Sequence, residues 1–206
     1  MGLFLKNNKY FLAYTGIILV SGLILLFCFD QTDMVLWMNR QRTPVLDTAF
    51  VFLTKMGEGY GYLVAAIFFF WFDKRRIGWI LLTGLIVLIT SHTLKIWFGN
   101  DRPAMFLKKA GLLEQVQFVQ GVDILWGTTS FPSGHSMSAF ALCALISLWS
   151  TEKKYLPLLL CILALMTGIS RVYLLAHFQQ DVITGGIIGI LIGAGVFVLS
   201  NQFFKK

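Results

Sequence analysis

The sequence predicts an all-α fold: a polytopic membrane protein built as a six-transmembrane-helix bundle, with its unusual polar residues gathered at the outer face. Three observations carry this. Hydrophobic residues make up 57% of the 206-residue chain and charged residues only 13%, about half the charge content of a soluble domain, so the implied solvent is lipid. Apolar stretches near the roughly 20 residues needed to cross a hydrocarbon core recur along the chain. The basic residues fall between these stretches in a pattern that orients a bundle.

The first span, 10–29, contains no charged residue. Its basic start at Lys6 and Lys9 resembles a signal peptide, but its apolar core is too long and no small-x-small cleavage site follows; it is expected to be a retained span. The apolar segment before Lys55, Gly57 and Glu58 predicts a short interfacial helix near 45–55, and 59–72 a second, short span. The third is 77–98, the fourth opens at His135 and ends near Ser150, the fifth runs from about 155 to 175, and the sixth is 182–203. Without water in the bilayer core to satisfy backbone groups, all six must be helices. The chain is read as one integral membrane domain, 1–206.

The charges fix an expected orientation. Lys6 and Lys9, Lys74–Arg76, Lys153 and Lys154, and Lys205 and Lys206 all fall on one side if alternate loops share a face. The positive-inside rule makes that side cytoplasmic, with both termini there. The formal net charge of +7 therefore serves topology and does not imply nucleic acid. Cys28, Cys143 and Cys161 lie inside apolar runs and are expected to pack as small residues, not to form disulfides or metal sites. Gly185, Gly189 and Gly193, at four-residue spacing, offer a smooth face for helix packing within the bundle. The segment 105–116 is weakly amphipathic and reads either as a helix along the membrane surface or as a partly ordered loop.

Three polar clusters converge on the opposite, outer face. The first holds Lys95 and Arg102–Pro103; the second Pro132, Ser133, Gly134 and His135; the third Ser170–Arg171, His177 and Asp181. Lys95, Arg102 and Arg171 are three cations without carboxylates close by in sequence, which points to an anion as partner. Arginine grips two phosphate oxygens at once and lysine acts as a point charge. Ser133 and Gly134 precede a helix, whose free N–H groups and dipole favour phosphate. His177 and Asp181, four apart, share a face if a helix starts near 177, and a carboxylate there would leave one ring nitrogen free to attack. His135 suits the acid that protonates a leaving oxygen. The expected chemistry is attack by His177 on phosphorus followed by hydrolysis of a phosphohistidine. Carboxylates are too few and scattered for a metal site, and no cofactor is expected. Singly, each feature has a plainer reading: Lys95, Arg102 and Arg171 as interfacial anchors, Ser133 as a helix cap, Asp181 as a dipole-favoured helix start. Glu58 and Asp101 read as solvated loop charges, and His92 as a histidine bonded between helices.

Lys95-x6-Arg102-Pro103, Pro132-Ser133-Gly134-His135 and Ser170-Arg171-x5-His177-x3-Asp181 together resemble the three signature motifs of the type 2 phosphatidic acid phosphatase (PAP2) superfamily. The resemblance implies a six-helix core with an outer-face active site and a metal-independent phosphatase. His177 becomes the nucleophile, His135 the acid and Asp181 the orienting carboxylate, with Lys95, Arg102, Ser133, Gly134 and Arg171 as the phosphate cradle. One departure is Asp101, where many relatives carry arginine or proline. The expected partner is a phosphorylated lipid of the undecaprenyl pyrophosphate, phosphatidylglycerol phosphate, phosphatidic acid or lipid A type, in the cell membrane, with no obligate protein partner evident. Transfer of the phosphoryl group to a second lipid, or lipid binding and transport without turnover, remain alternatives.

Overall fold

The computed structural model of the chain describes residues 7–150 and 153–204; Lys6, Lys205 and Lys206 lie outside them. The described residues form an all-helical protein. Helix α1 spans Lys9–Cys28. Helices α2 (Gln31–Arg40) and α3 (Pro44–Thr54) follow, with N-caps that satisfy their first backbone amides. The Asp30 carboxylate accepts from Thr32 and Asp33, and the Thr43 hydroxyl from Leu46, with Pro44 at the first helical position. Then come α4 (Tyr60–Phe72), α5 (Ile77–Phe98), the short α6 (Pro103–Lys109), α7 (Gly134–Trp149), α8 (Tyr155–Tyr173) and α9 (Gln179–Phe204). Helix α3 occupies the stretch expected to form an interfacial helix. Helix α2 was not anticipated. The amphipathic stretch after Pro103 forms α6, anchored by fully buried Leu107, and a 3-10 turn at Leu113–Gln115.

Helices α1, α5, α8 and α9 are long and apolar enough to cross a membrane, while α4 and α7 are shorter apolar helices running between them. The side-chain distribution is inverted relative to a water-soluble protein. Phe27, Trp71 and Trp97 are 89%, 78% and 82% exposed, whereas Thr83, Ser136, Thr167, Ser170 and Asp181 are fully buried. Large apolar groups outside and polar groups inside suit lipid as the solvent. The protein is membrane-embedded.

Helix α7 is the centre of the bundle. It lies along α9 so closely that a Cβ on Gly185, Gly189 or Gly193 would collide with the carbonyl oxygens of Ser133, Met137 and Ala141 respectively. The glycine stripe is thus an internal packing seam, as its spacing suggested. Phe140, Leu145 and Leu148 of α7 join Ile80, Val196 and Phe197 in the main core. Cys143 and Cys161 are buried in that core as packing residues, but Cys28 is exposed at the end of α1, so the packing role expected for it does not hold. Away from the polar clusters, Arg76 stands over the Trp149 ring and Arg75 over Phe204. The basic turn between α4 and α5 therefore meets the ends of α7 and α9 that lie farthest from Gly134 and Asp181.

Candidate active site

Backbone hydrogen bonds stitch the three polar clusters together. The Ser133 amide donates to the Asp181 carbonyl at 2.9 Å, joining the start of α7 to the start of α9. The Ser130 amide donates to Asn100 O at 3.0 Å and the Arg102 amide to Gly127 O at 2.9 Å, tying the segment after α5 to the approach to α7. The amides of Ala176 and His177 both donate to Arg171 O, which folds the chain after α8 into a tight loop in which Leu175 takes φ 55°. The Phe131–Pro132 peptide is cis. Ser133 caps α7, its hydroxyl accepting from the Ser136 amide.

The three cations gather around this frame. A Cβ on Gly134 would stand 3.7 Å from Lys95 Nζ and 2.7 Å from Ser91 Oγ; glycine leaves that space open beside the free amides at the helix start. Arg102 is buried, with Nη1 donating to Ala176 O at 3.1 Å and Nη2 to Thr129 Oγ1 at 3.4 Å. Arg171 donates from Nη1 to Thr54 Oγ1, while its Nε is buried without a partner among the described residues. An unpaired buried guanidinium N–H is a donor ready for an anion. Lys95, Arg102 and Arg171 all act electrostatically on His135, so residues far apart in sequence share one site. Asp101 does not weaken this positive field from within: it pairs with Lys109 of α6 at 2.7 Å.

His177 is 1% exposed and Asp181 fully buried. Helix α9 begins at Gln179, so His177 sits two residues before the helix rather than on it. The pair forms nonetheless: Nδ1 lies 3.4 Å from Asp181 Oδ2. Burial pushes the His177 imidazole down to about 4, with Arg171 and Arg102 acting in the same direction and Asp181 opposing. The ring is therefore neutral at ordinary pH. With Nδ1 facing the carboxylate, Nε2 carries the free lone pair, the form a nucleophile needs.

Sequence reasoning missed two residues. Ser130 is fully buried, donates to Asp181 Oδ2 at 2.5 Å and lies 3.4 Å from His177 Nδ1. Together with the Phe178 amide, at 3.0 Å from the same oxygen, it fixes the carboxylate that faces His177. Glu58 is the other: its Oε1 lies 3.4 Å from His135 Nε2, although it reads in sequence as a solvated loop charge. His92, expected to bond between helices, is exposed. Among the described residues, no three His, Cys, Asp or Glu side chains come together in a way that could hold a metal ion.

A cleft of about 390 Å³ opens between α4 and α5. It is lined on its outer side by Leu81 and Leu88, both exposed, and on its inner side by Gly134, Ser91 and Ser138. The cleft thus runs from exposed apolar side chains to Gly134, beside Lys95 Nζ. The arrangement sets three cations and the amides at the start of α7 beside a neutral imidazole, a setting with the chemistry to hold a phosphate.

The PAP2 superfamily profile matches residues 76–205. The chain belongs to the PAP2 superfamily. Phosphatidylglycerophosphatase B of Bacillus subtilis is 32% identical over 138 residues, 60% of this chain and 59% of that protein, so the match spans about three fifths of that relative. Undecaprenyl-diphosphatase of Sulfolobus acidocaldarius is 28% identical over 73% of this chain and 69% of its own length. Among solved structures, Aquifex aeolicus LpxE superposes with a TM-score of 0.68 at 29% identity, covering 83% of this chain and 97% of LpxE. A Bacillus subtilis PAP2-type phosphatidylglycerolphosphate phosphatase superposes with the same TM-score at 24% identity, over 96% of this chain and 97% of its own, and so shares the fold.

Proposed function

We propose that this protein is a lipid phosphatase that uses His177 as nucleophile, His135 as proton donor and Asp181 to orient His177, with Lys95, Arg102, Ser133, Gly134 and Arg171 holding the phosphate. The observation that carries the reading is the buried, neutral His177 beside Asp181, within one cluster with three cations and the open start of α7. In the first half-reaction the His177 Nε2 lone pair forms a bond to phosphorus, the bond from phosphorus to the leaving oxygen breaks, and His135 gives that oxygen a proton. In the second, His135 takes a proton from water, whose oxygen attacks the phosphohistidine and releases inorganic phosphate. The cations and helix amides stabilise charge on the equatorial oxygens in both steps.

The substrate class follows from the cleft between α4 and α5, which joins a membrane-facing surface to the cradle, and from relatives named as phosphatases of phosphatidylglycerophosphate and undecaprenyl diphosphate. A phosphomonoester or diphosphate on a membrane lipid fits both. The bundle is read as six spans, the four long helices together with α4 and α7. The basic turns at Lys74–Arg76 and Lys153–Lys154 then face the cytoplasm and the site faces the outer side.

The test is release of inorganic phosphate by purified protein from phosphatidic acid, phosphatidylglycerol phosphate and undecaprenyl pyrophosphate, in EDTA. Turnover of at least one, abolished in His177→Ala, is expected. Full turnover in His177→Ala would contradict the mechanism. Appearance of the phosphate on an added acceptor lipid would make the protein a phosphotransferase instead.

A further inference from the structure

We propose that Glu58 is the positioning residue of the proton donor: it holds His135 Nε2–H, so that Nδ1 delivers the proton to the leaving oxygen. This rests on the phosphatase reading above and adds a residue outside the three motifs. Glu58 Oε1 lies 3.4 Å from His135 Nε2, across 77 residues of sequence.

The backbone around Glu58 is built for this approach. A 3-10 turn at Lys55–Gly57 ends at Glu58, whose amide donates to Lys55 O at 3.0 Å. Gly57 lies flat against His135: a Cβ there would stand 2.8 Å from His135 Cβ and 3.0 Å from its Cα, closer than real side chains tolerate. Gly59 takes φ 108° to turn the chain into α4, a conformation open mainly to glycine. The two glycines therefore bring Glu58 to His135 and hold it there.

The surrounding charges show what a carboxylate would do. Lys95 from α5, Arg102 before α6 and Arg171 from α8 all act electrostatically on His135. Against these, Glu58 is the carboxylate that pairs with it among the described residues. A donor histidine must carry two protons before it acts and keep one afterwards. Glu58 would bind the Nε2 proton in both states, so that only the Nδ1 proton moves: out to the leaving oxygen, then back from the attacking water. Glu58 also lines both the cleft between α4 and α5 and a polar pocket with Lys55, Asp123 and Arg171, which places the pair beside the route of the substrate. Its side chain is 43% exposed, so the isosteric glutamine is tolerated by the fold.

The experiment compares leaving groups. Purified full-length wild type, Glu58→Gln, His135→Ala and the double variant are assayed on short-chain phosphatidic acid, whose alkoxide needs a proton to leave, and on 4-nitrophenyl phosphate, whose phenolate does not. Glu58→Gln is expected to lower kcat/KM for phosphatidic acid about 10–100-fold, carried by kcat, and to change that for nitrophenyl phosphate less than about 3-fold. In the His135→Ala background it is expected to add nothing. An equal loss on both substrates, a loss confined to KM, full activity on phosphatidic acid, or an additive loss in the double variant would overturn the proposal while leaving the phosphatase reading intact. Absence of phosphate release by the wild type from all three of phosphatidic acid, phosphatidylglycerol phosphate and undecaprenyl pyrophosphate would overturn both.

Discussion

Two carboxylate–histidine pairs stand in this site at the same separation, 3.4 Å, in opposite surroundings. The His177–Asp181 side chains are 2% and 1% exposed; those of His135 and Glu58 are 25% and 43% exposed. The inner pair comes from adjoining turns of chain, is fixed by Ser130 and the Phe178 amide, and presents Nε2. The outer pair joins distant segments, its carboxylate makes no second hydrogen bond among the described residues, and its Nε2 rather than Nδ1 is engaged. The contrast fits the proposed roles. A nucleophile needs a stripped, neutral ring with one nitrogen held. A proton donor needs access to the leaving group and to water.

Breaking the inner pair should therefore cost most. Asp181→Asn is expected to lower kcat by about 10⁴-fold, since it removes the carboxylate that selects the ring tautomer; a loss below about tenfold would show that His177 needs no orienting charge. Ser130→Ala leaves that carboxylate in place but frees its oxygen. A loss of about 10–100-fold in kcat is expected, with about 1–3 kcal/mol of stability from the vacated buried acceptor, read by initial rates and thermal unfolding in detergent. Unchanged kcat in a destabilised variant would make Ser130 purely structural.

The smallest effect sharpens the comparison without a mutation. With only three histidines in the chain, selective 15N labelling can follow each. Burial disfavours the His177 imidazolium, so its proton should be taken up only as the pH falls toward about 4. The sign for stability is the same. Between the ordinary value of about 6.5 and about 4, the unfolded chain binds the proton and the folded one does not, so stability is lost as pH falls through that window. Titration of His177 near 6.5 would contradict the buried setting.

The helices were legible because lipid imposes a simple rule on composition and length. Span 77–98 coincides with α5, and the predicted end of the fourth span falls within a residue of Trp149. The motif residues were legible because His177 and Asp181 are close in sequence and Ser133–His135 opens a helix. Ser130 and Glu58 were not. Ser130 meets Asp181 across 51 residues and Glu58 meets His135 across 77, distances that no periodicity encodes. For Glu58 a signal existed in its flanking glycines, Gly57 and Gly59, which mark a backbone forced close to something. What that something was, only the packing of the Lys55–Gly57 turn on α7 reveals. Helix α2 escaped for a different reason. Its polar sequence carries no span signal, and its order comes from the Asp30 cap and from buried Val35 and Leu36 packing on a second apolar cluster.

The most direct test of the central claim is to trap the covalent intermediate. Purified protein is mixed with a lipid phosphate labelled in its terminal phosphate, quenched in alkali within milliseconds, digested and mapped. Label is expected on His177 as a phosphohistidine in the wild type and none in His177→Ala. Label on any other residue, or wild-type turnover with no phosphoenzyme formed at any time, would contradict it.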